Sequence, residues 1–316
     1  MTVSIIVNAI SMGIIFLYGC VGEIFTERAG HLNLGIPGIM CIGAAGGAYA
    51  ISIFGEKVNG VLLVILAIVF SMLFSAVSGL LYSFLTVTLQ ANQNVTGLTL
   101  TTFGVGFMKF LAMKIYSQSL FVKVSHLFQN LFNVSSDASP IAKIFLSHGI
   151  LVYLGIIIAV VASFVLNRTR HGLYLKSIGE NPGTADAVGI NVALYKYVFI
   201  TIGSAIAGLG GLYYIMDKSG GTQLAEAQID KFGWMAVALV IASMWKPLLA
   251  AIGSTIFGGL YIYDAMSTTI SLAAKKIFPI FPYLLTILVL IIASVVKSKN
   301  NQPPAHLGLP YFREDR

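Results

Sequence analysis

The chain has 316 residues, of which 57% are hydrophobic and only 10% are charged. Soluble domains carry about 25% charged residues, because charged side chains cover the surface that faces water. The composition therefore excludes a soluble enzyme, a nucleic-acid-binding protein and a secreted disulfide scaffold. It predicts a polytopic membrane protein.

The net charge of +7 reflects 19 Lys and Arg residues against 12 Asp and Glu residues. The basic residues are scattered rather than clustered, so they indicate basic flanks of membrane helices and no nucleic-acid partner. Cys20 and Cys41 both lie in apolar runs. Each is interpreted as a small buried hydrophobic residue rather than as a metal ligand or half of a disulfide.

Apolar runs without charged residues give the predicted membrane spans, because one crossing needs about 20 apolar residues in a helix. About nine spans are predicted, with eight or ten as alternatives, in a single all-α transmembrane domain over residues 1–316. The first run has no basic segment before it and is interpreted as an uncleaved span. The seventh run is short, so it and the eighth can form a tight hairpin or a partly re-entrant pair. In chain order the predicted spans are residues 3–22, 32–54, 61–88, 95–113, 146–167, 197–216, 232–245, 247–263 and 279–297.

Polar segments interrupt this pattern at residues 23–31, 90–94, 109–143 and 168–196, and a short tail follows at 298–316. Within the long segment, apolar residues recur at helical spacing, which predicts a helix on the membrane surface or under a partner protein. These residues are Leu120, Val124, Leu127, Phe128 and Leu131.

The sequence offers little that could carry catalysis. No acidic or basic residue lies in the middle of a predicted span, which argues against a proton- or sodium-driven carrier. There is no Gly-x-x-x-x-Gly-Lys-Ser/Thr phosphate loop, and no His, Cys, Asp or Glu cluster has metal-ligand spacing. No catalytic residue, metal or cofactor is predicted. A solute that crosses this protein is therefore moved by energy from elsewhere or flows downhill.

The segment 172–192 contains helix start and stop signals outside the predicted spans. Asn181 is a candidate N-cap, and Pro182 stands at the favoured first position of a helix. A short helix over residues 182–188 would end at Gly189, which can adopt a left-handed conformation. On these residues alone, an ordinary connecting loop is the alternative.

Four segments carry a recognisable pattern in a fixed order. They are ERAGHLNLGIPG at residues 27–38, ANQNVTGL at 91–98, GLYLKSIGENPGTADAVGINV at 172–192 and PPAHLGLPYFRE at 303–314. Together they resemble segments of ABC importer permeases of the simple-sugar, nucleoside and branched-chain amino acid superfamily. The tail resembles that of the shorter of two paired permeases in nucleoside importers. A simple-sugar permease is the alternative, and a passive channel or secondary carrier is a more distant one.

The resemblance implies the pathway subunit of an ATP-driven importer in the bacterial cytoplasmic membrane. The implied partners are a second homologous permease, an ATP-binding subunit with two nucleotide-binding domains, an extracytoplasmic substrate-binding lipoprotein and membrane lipid. Segment 168–196 would couple to the ATPase, which places the N-terminus and loop 114–145 outside and the tail 298–316 in the cytoplasm. The implied coupling residues are Gly179, Glu180, Asn181, Pro182, Ala185, Asp186 and Gly189.

With this orientation, uncharged polar residues would narrow the cytoplasmic mouth of the path, since amides can bind a polar solute without trapping it. Two nearby phenylalanines could stack on a nucleobase. The alternatives are that the amides cap helices or join them, and that the rings face lipid or the core. The predicted gate and path residues are Asn33, Leu34, Asn92, Gln93, Asn94, Gly97, Phe103 and Phe107.

Overall fold

The computed structural model describes residues 2–129, 131–132, 138–266, 277, 280–296 and 302–312. The described residues form helices joined mostly by short loops, with no strand among them. The helices are α1 Thr2–Arg28, α2 Ile36–Phe54, α3 Gly60–Ser83, α4 Gln93–Ile115, α5 Gln118–Ser125, α6 Pro140–Leu146, α7 Ile150–Arg168, α8 Arg170–Glu180, α9 Pro182–Ala187, α10 Val192–Tyr213, α11 Glu226–Ala242, α12 Pro247–Met266 and α13 Phe281–Val296. Helices α3 and α10 each continue into a π-helical turn, at Phe84–Thr88 and Tyr214–Lys218.

The all-helical, multi-pass prediction is confirmed. Six helical stretches in the described part of the chain are long and apolar enough to cross a membrane. Two shorter apolar helices, Pro247–Tyr263 and Phe281–Ile292, follow them. The count of nine spans stays a prediction. The six stretches are Val3–Arg28, Ile36–Phe54, Gly60–Thr88, Gln93–Ile115, Ile150–Arg168 and Val192–Lys218.

Helices α1, α2 and α10 form the centre of the bundle, and they are far more enclosed than α3, α4 and α7. Close approach between central helices depends on glycine. A methyl group added at Gly43 of α2 would lie 2.3 Å from the Cα atom of Gly208 in α10. Small residues allow such contact between membrane helices, where lipid removes the usual hydrophobic drive for association.

The first helix is longer than the sequence predicts. We expected the first span to end at residue 22, with a polar loop from Glu23, but α1 continues to Arg28. Glu23 and Glu27 are consequently fully buried in its last turns. Both carboxyl groups lie near the end of α1 and not in its middle, and each accepts a hydrogen bond from another part of the fold.

The described residues of segment 114–145 form two short helices, α5 and α6, and no single helix carries the whole apolar stripe. Helix α5 ends at Ser125, so Leu127 and Leu131 lie beyond it and are about half exposed. Val124 and Phe128 are buried within the chain itself. The prediction of one amphipathic surface helix is therefore wrong, because part of the stripe packs into this subunit's own core.

The described connections lie on two opposite faces of the bundle. One face carries the loop 29–35, helices α8 and α9, and the tail 302–312, which contact one another. The other face carries α5 and the segment 219–225, joined by the hydroxyl of Tyr116, which donates to the carbonyl of Gly221 over 3.0 Å. The segments predicted to be cytoplasmic therefore share one face, and their absolute orientation stays a prediction.

Candidate functional site

The candidate site is the polar cluster on the face that carries α9 and the tail. Its first component is the loop between α1 and α2, where Gly30 has a positive φ of 82°. The N–H of Asn33 donates to Glu23 Oε1 over 3.0 Å, and Asn33 Oδ1 accepts from the N–H of Gly35 over 2.8 Å. Asn33 therefore holds the turn that starts α2, and its side chain is fully buried.

The second component is the start of α4. Asn92 caps this helix by accepting from the N–H of Val95 over 3.1 Å. The next residue, Gln93, is buried, and its Oε1 accepts from the N–H of Leu32 over 2.8 Å. Asn94 is exposed. Of the three predicted gate amides in this segment, Gln93 contacts the first loop, whereas Asn92 and Asn94 face away from the protein interior.

The two segments are in close contact at Leu34 and Gly97. A methyl group at Gly97 would lie 2.7 Å from the backbone nitrogen of Leu34. The hydroxyl of Thr101 donates to the carbonyl of Leu34 over 2.8 Å, and that of Tyr82 donates to the carbonyl of Leu32 over 2.8 Å. Helices α3 and α4 thus both hold the first loop. The structure brings Asn33, Leu34, Gln93 and Gly97 together.

The two predicted path aromatics lie apart from this cluster. Phe103 and Phe107 are one turn apart on α4, and their rings stack with centroids 6.0 Å apart. Phe103 is 56% exposed on the outer side of α4, whereas Phe107 is partly buried and contacts Phe74. They line a shallow depression on the outer surface of α4 and do not take part in the contact between Leu34 and Gly97.

The third component is the segment with the predicted short helix. Asn181 Oδ1 accepts from the N–H of Thr184 over 2.9 Å, and Pro182 is the first residue of α9. Gly189 has a positive φ of 87°. The predicted N-cap at Asn181 and the predicted stop at Gly189 are confirmed. Helix α9 ends at Ala187, one residue earlier than predicted, because Val188 is no longer helical.

The predicted coupling residues divide between a buried and an exposed side of this segment. Gly179, Pro182 and Ala185 are buried, and a methyl group at Gly179 would lie 2.4 Å from the carbonyl oxygen of Arg28. Asp186 is half-buried. The exposed side is formed by Glu180, Asn181, Thr184, Ala187, Val188 and Gly189. Only this side is available to a partner.

The tail joins all three components, which the sequence did not predict. The N–H of His306 donates to the carbonyl of Gly179 over 2.9 Å, and the N–H of Gly308 donates to that of Gly30 over 3.2 Å. The Nε2 atom of Gln93 donates to the carbonyl of Leu309 over 3.4 Å. The prolines at 303 and 304 signalled an irregular tail, but no local pattern indicated what it would contact.

A buried polar network behind the first loop was also missed. The indole Nε1 of Trp245 donates to Glu27 Oε2, and Arg28 Nη2 donates to the Trp245 carbonyl over 3.4 Å. Trp245 and Met244 both have positive φ in the tight turn between α11 and α12. The network therefore ties this turn to the end of α1, next to the loop that contains Asn33.

His31 lies in the loop between α1 and α2 and is 1% exposed. Burial lowers the pKa of His31 well below its usual value, and the positive charge of Lys196 lowers it further. The ring is therefore neutral at physiological pH. In the part of the chain that the structure describes, no group of three His, Cys, Asp or Glu residues is arranged to hold a metal ion.

Comparison with known proteins identifies related transporter permeases. The nucleoside ABC transporter permease protein NupC of Lactococcus lactis subsp. cremoris is 30% identical over 90% of each chain. The guanosine ABC transporter permease protein NupQ of Bacillus subtilis is 28% identical over 93% of this chain and 92% of its own length. The putative glucose ABC transporter permease protein TsgC13 of Haloferax volcanii is 29% identical over 95% of this chain and 94% of its own length. No solved structure matches the chain.

A family assignment follows from a second comparison, with protein families. Residues 5–293 match the family described as the permease component of the branched-chain amino acid transport system. This match covers most of the chain, including most of α1 and all of α2 to α12. The protein belongs to this family of multi-pass ABC transporter permeases.

Proposed function

We propose that this chain is the transmembrane pathway subunit of an ATP-driven importer for nucleosides. The observation that supports it best is the continuous contact from α8 and α9, through the tail, to the loop that holds Asn33 and to Gln93 at the start of α4. A movement imposed on α9 by an ATPase subunit would reach those loops through the backbone of His306 and Gly308. The nucleoside assignment rests on the relatives named above.

The proposal sets the orientation and the partners. Exposed Val188 and its neighbours would dock on the ATPase in the cytoplasm, so the tail is cytoplasmic and the N-terminus is outside. An extracytoplasmic binding protein would then deliver solute to the face that carries α5 and α6. A second homologous permease would complete the path, and this chain itself would carry no catalytic chemistry. The membrane is the bacterial cytoplasmic membrane.

The closed contact between Leu32–Leu34 and the start of α4 would act as the inner gate. In this role the hydrogen bond from Leu32 to Gln93 and the close approach at Gly97 hold the mouth shut. Opening requires these contacts to break, and the tail that bonds both Gly30 and Gln93 would control them together. The exposed ring of Phe103 would line the path on the side of the second permease.

A simple-sugar permease is the second candidate, because one relative of comparable similarity is named as a putative glucose transporter permease. A nucleoside contains a ribose, and uncharged amides would suit either solute. A competition experiment separates the two. Cells that express the complete operon should take up labelled nucleoside, and an excess of unlabelled nucleoside should block this uptake far better than ribose or glucose.

The ATP-driven class is tested separately from the solute. The chain should co-purify with an ATP-binding subunit. Uptake into proteoliposomes should require that subunit, with ATP on the side of the membrane that carries it. If the purified chain alone moved nucleosides down their gradient, it would be a channel or carrier and the proposal would be wrong.

A further inference from the structure

A cavity of about 370 Å³ lies on the same face, next to the cluster but outside the contacts assigned above. Its walls come from the π-helical turn after α3, the junction of α9 and α10, and the tail. The lining residues that matter here are His31, Asp186, Val192, Ala193, Lys196 and Tyr311. Cavities of this size hold small organic ligands or a lipid headgroup.

The cavity contains a buried positive charge. Lys196 is only 3% exposed, and its Nζ lies 5.8 Å from the centre of the Tyr311 ring. Among the described residues, no carboxylate forms an ion pair with this ammonium group. The acid in the wall, Asp186, instead accepts from the Tyr311 hydroxyl over 3.0 Å. A buried ammonium without an anionic partner is costly, so an anion is expected beside it.

Two further groups offer hydrogen bonds to an anion at this place. His31 is 1% exposed, and its ring nitrogens lie near the carbonyls of Ala29 and Thr86 without forming a hydrogen bond of good geometry to them. A neutral imidazole still has one N–H to donate. Helix α10 starts in the wall, with Asn191 accepting from the N–H of Leu194 over 3.0 Å. The N–H groups of Val192 and Ala193 have no partner within the helix, and helix N-termini favour anions.

We propose that this cavity binds a phosphate group, carried either by a small solute or by a lipid headgroup. Lys196 would supply the charge, and the first turn of α10 and the His31 ring would supply the hydrogen bonds. A cation and several N–H donors from α10, together with the ring of His31, line this one cavity and match the charge and the hydrogen-bond acceptors of a phosphate group. The site is independent of which solute the chain transports, so it does not rest on the function proposed above.

The test uses the purified full-length chain in detergent, freed of lipid, with inorganic phosphate as the probe. Phosphate should raise the thermal unfolding temperature in a saturable manner, since a ligand that binds only the folded state stabilises it. Lys196→Met keeps the buried stem but removes the charge, and it should weaken the apparent affinity by about tenfold or more. Lys109→Met, at the exposed end of α4 on the other face, is the matched control and should leave the affinity unchanged.

A second pair of variants covers the case in which Lys196→Met does not fold. Ala193 is exposed in the first turn of α10, where an acidic residue is compatible with the helix dipole. Ala193→Asp should abolish the phosphate effect by repulsion, whereas Ala193→Asn should retain it.

Two arms distinguish the sources of the phosphate. Protection by inorganic phosphate supports a free solute. Protection only in nanodiscs that contain phosphatidic acid, and not in pure phosphatidylcholine, supports a lipid headgroup. If neither protects the wild-type chain, the proposal is overturned. If, in addition, Ala193→Asp prevents capture of the ATP-binding subunit, the cavity is a socket for that protein instead.

Discussion

The backbone N–H of Leu32 donates to the side-chain Oε1 of Gln93 over 2.8 Å, which joins the loop after α1 to the first turn of α4. The two residues are 61 positions apart, and the same Gln93 side chain also donates to the tail at Leu309. One amide thus connects three chain segments on one face. Breaking this contact should affect transport more than it affects folding.

Gly97 provides a test of the proposed gate. Gly97→Ala would place a methyl group 2.7 Å from the backbone of Leu34, so the two segments must separate. Overpacking of this kind costs about 1–3 kcal/mol. Nucleoside uptake should fall or the inner mouth should leak, which a solute-efflux assay would detect. Gly106→Ala in the same helix meets no atom within 4 Å and should be harmless. Equal behaviour of the two variants would refute the gate.

The role of Gln93 is separable from that of its neighbour Asn94. Gln93→Ala leaves the N–H of Leu32 without its acceptor and frees the tail at Leu309. Uptake should decrease, and a cysteine at Leu309 should become more reactive to a thiol reagent. Asn94→Ala removes a side chain that is exposed and makes no hydrogen bond among the described residues, so it should change neither quantity. If Asn94→Ala reduced uptake as much as Gln93→Ala does, the hydrogen bonds of Gln93 would not explain the effect.

The bond between Trp245 and Glu27 should stabilise the protein. Trp245→Phe leaves a fully buried carboxyl group without its indole donor, which should lower the free energy of unfolding by about 1–3 kcal/mol. The double variant Trp245→Phe with Glu27→Leu removes both partners and should be destabilised by less than the sum of the two single variants. Thermal unfolding followed by circular dichroism measures all three. Strict additivity would mean that the two side chains do not interact.

Docking of the ATPase can be tested at Val188, which is 73% exposed just after α9. Val188→Asp places a charge on the proposed interface and should reduce capture of the ATP-binding subunit by about tenfold or more. Ile141, 71% exposed in α6 on the opposite face, provides the control. Ile141→Asp should leave capture intact. Unchanged capture by Val188→Asp would remove α9 from the interface.

The orientation can be read from thiol labelling in intact cells. A cysteine at Ile141 should react with a membrane-impermeant reagent added outside, and a cysteine at Thr184 should react only after the cells are opened. The native Cys20 and Cys41 are buried free thiols, so they should give little background. Reversed labelling would invert the proposed orientation together with the sides assigned to the ATPase and the binding protein.

Features that depend on composition or on neighbouring residues could be predicted before the fold was known. A charged fraction of 10% cannot cover a soluble surface, so the membrane class followed at once. The cap at Asn181 and the stop at Gly189 were also predictable, since each is a hydrogen bond or a backbone preference within a few residues. The cysteines were correctly interpreted as buried hydrophobic residues.

The contacts between polar groups of distant segments could not be predicted, because they depend on how the helices pack. Glu23 and Glu27 look like the start of a loop because an acid in a membrane helix is costly. Their burial becomes tolerable through the N–H of Asn33 and the indole of Trp245, and Trp245 lies 218 positions from Glu27. Likewise, no pattern within the tail predicts that it contacts Gly30, Gly179 or Gln93. Helix packing determines such contacts. It brings together residues that lie far apart in the sequence, and no local sequence pattern predicts which of them will meet.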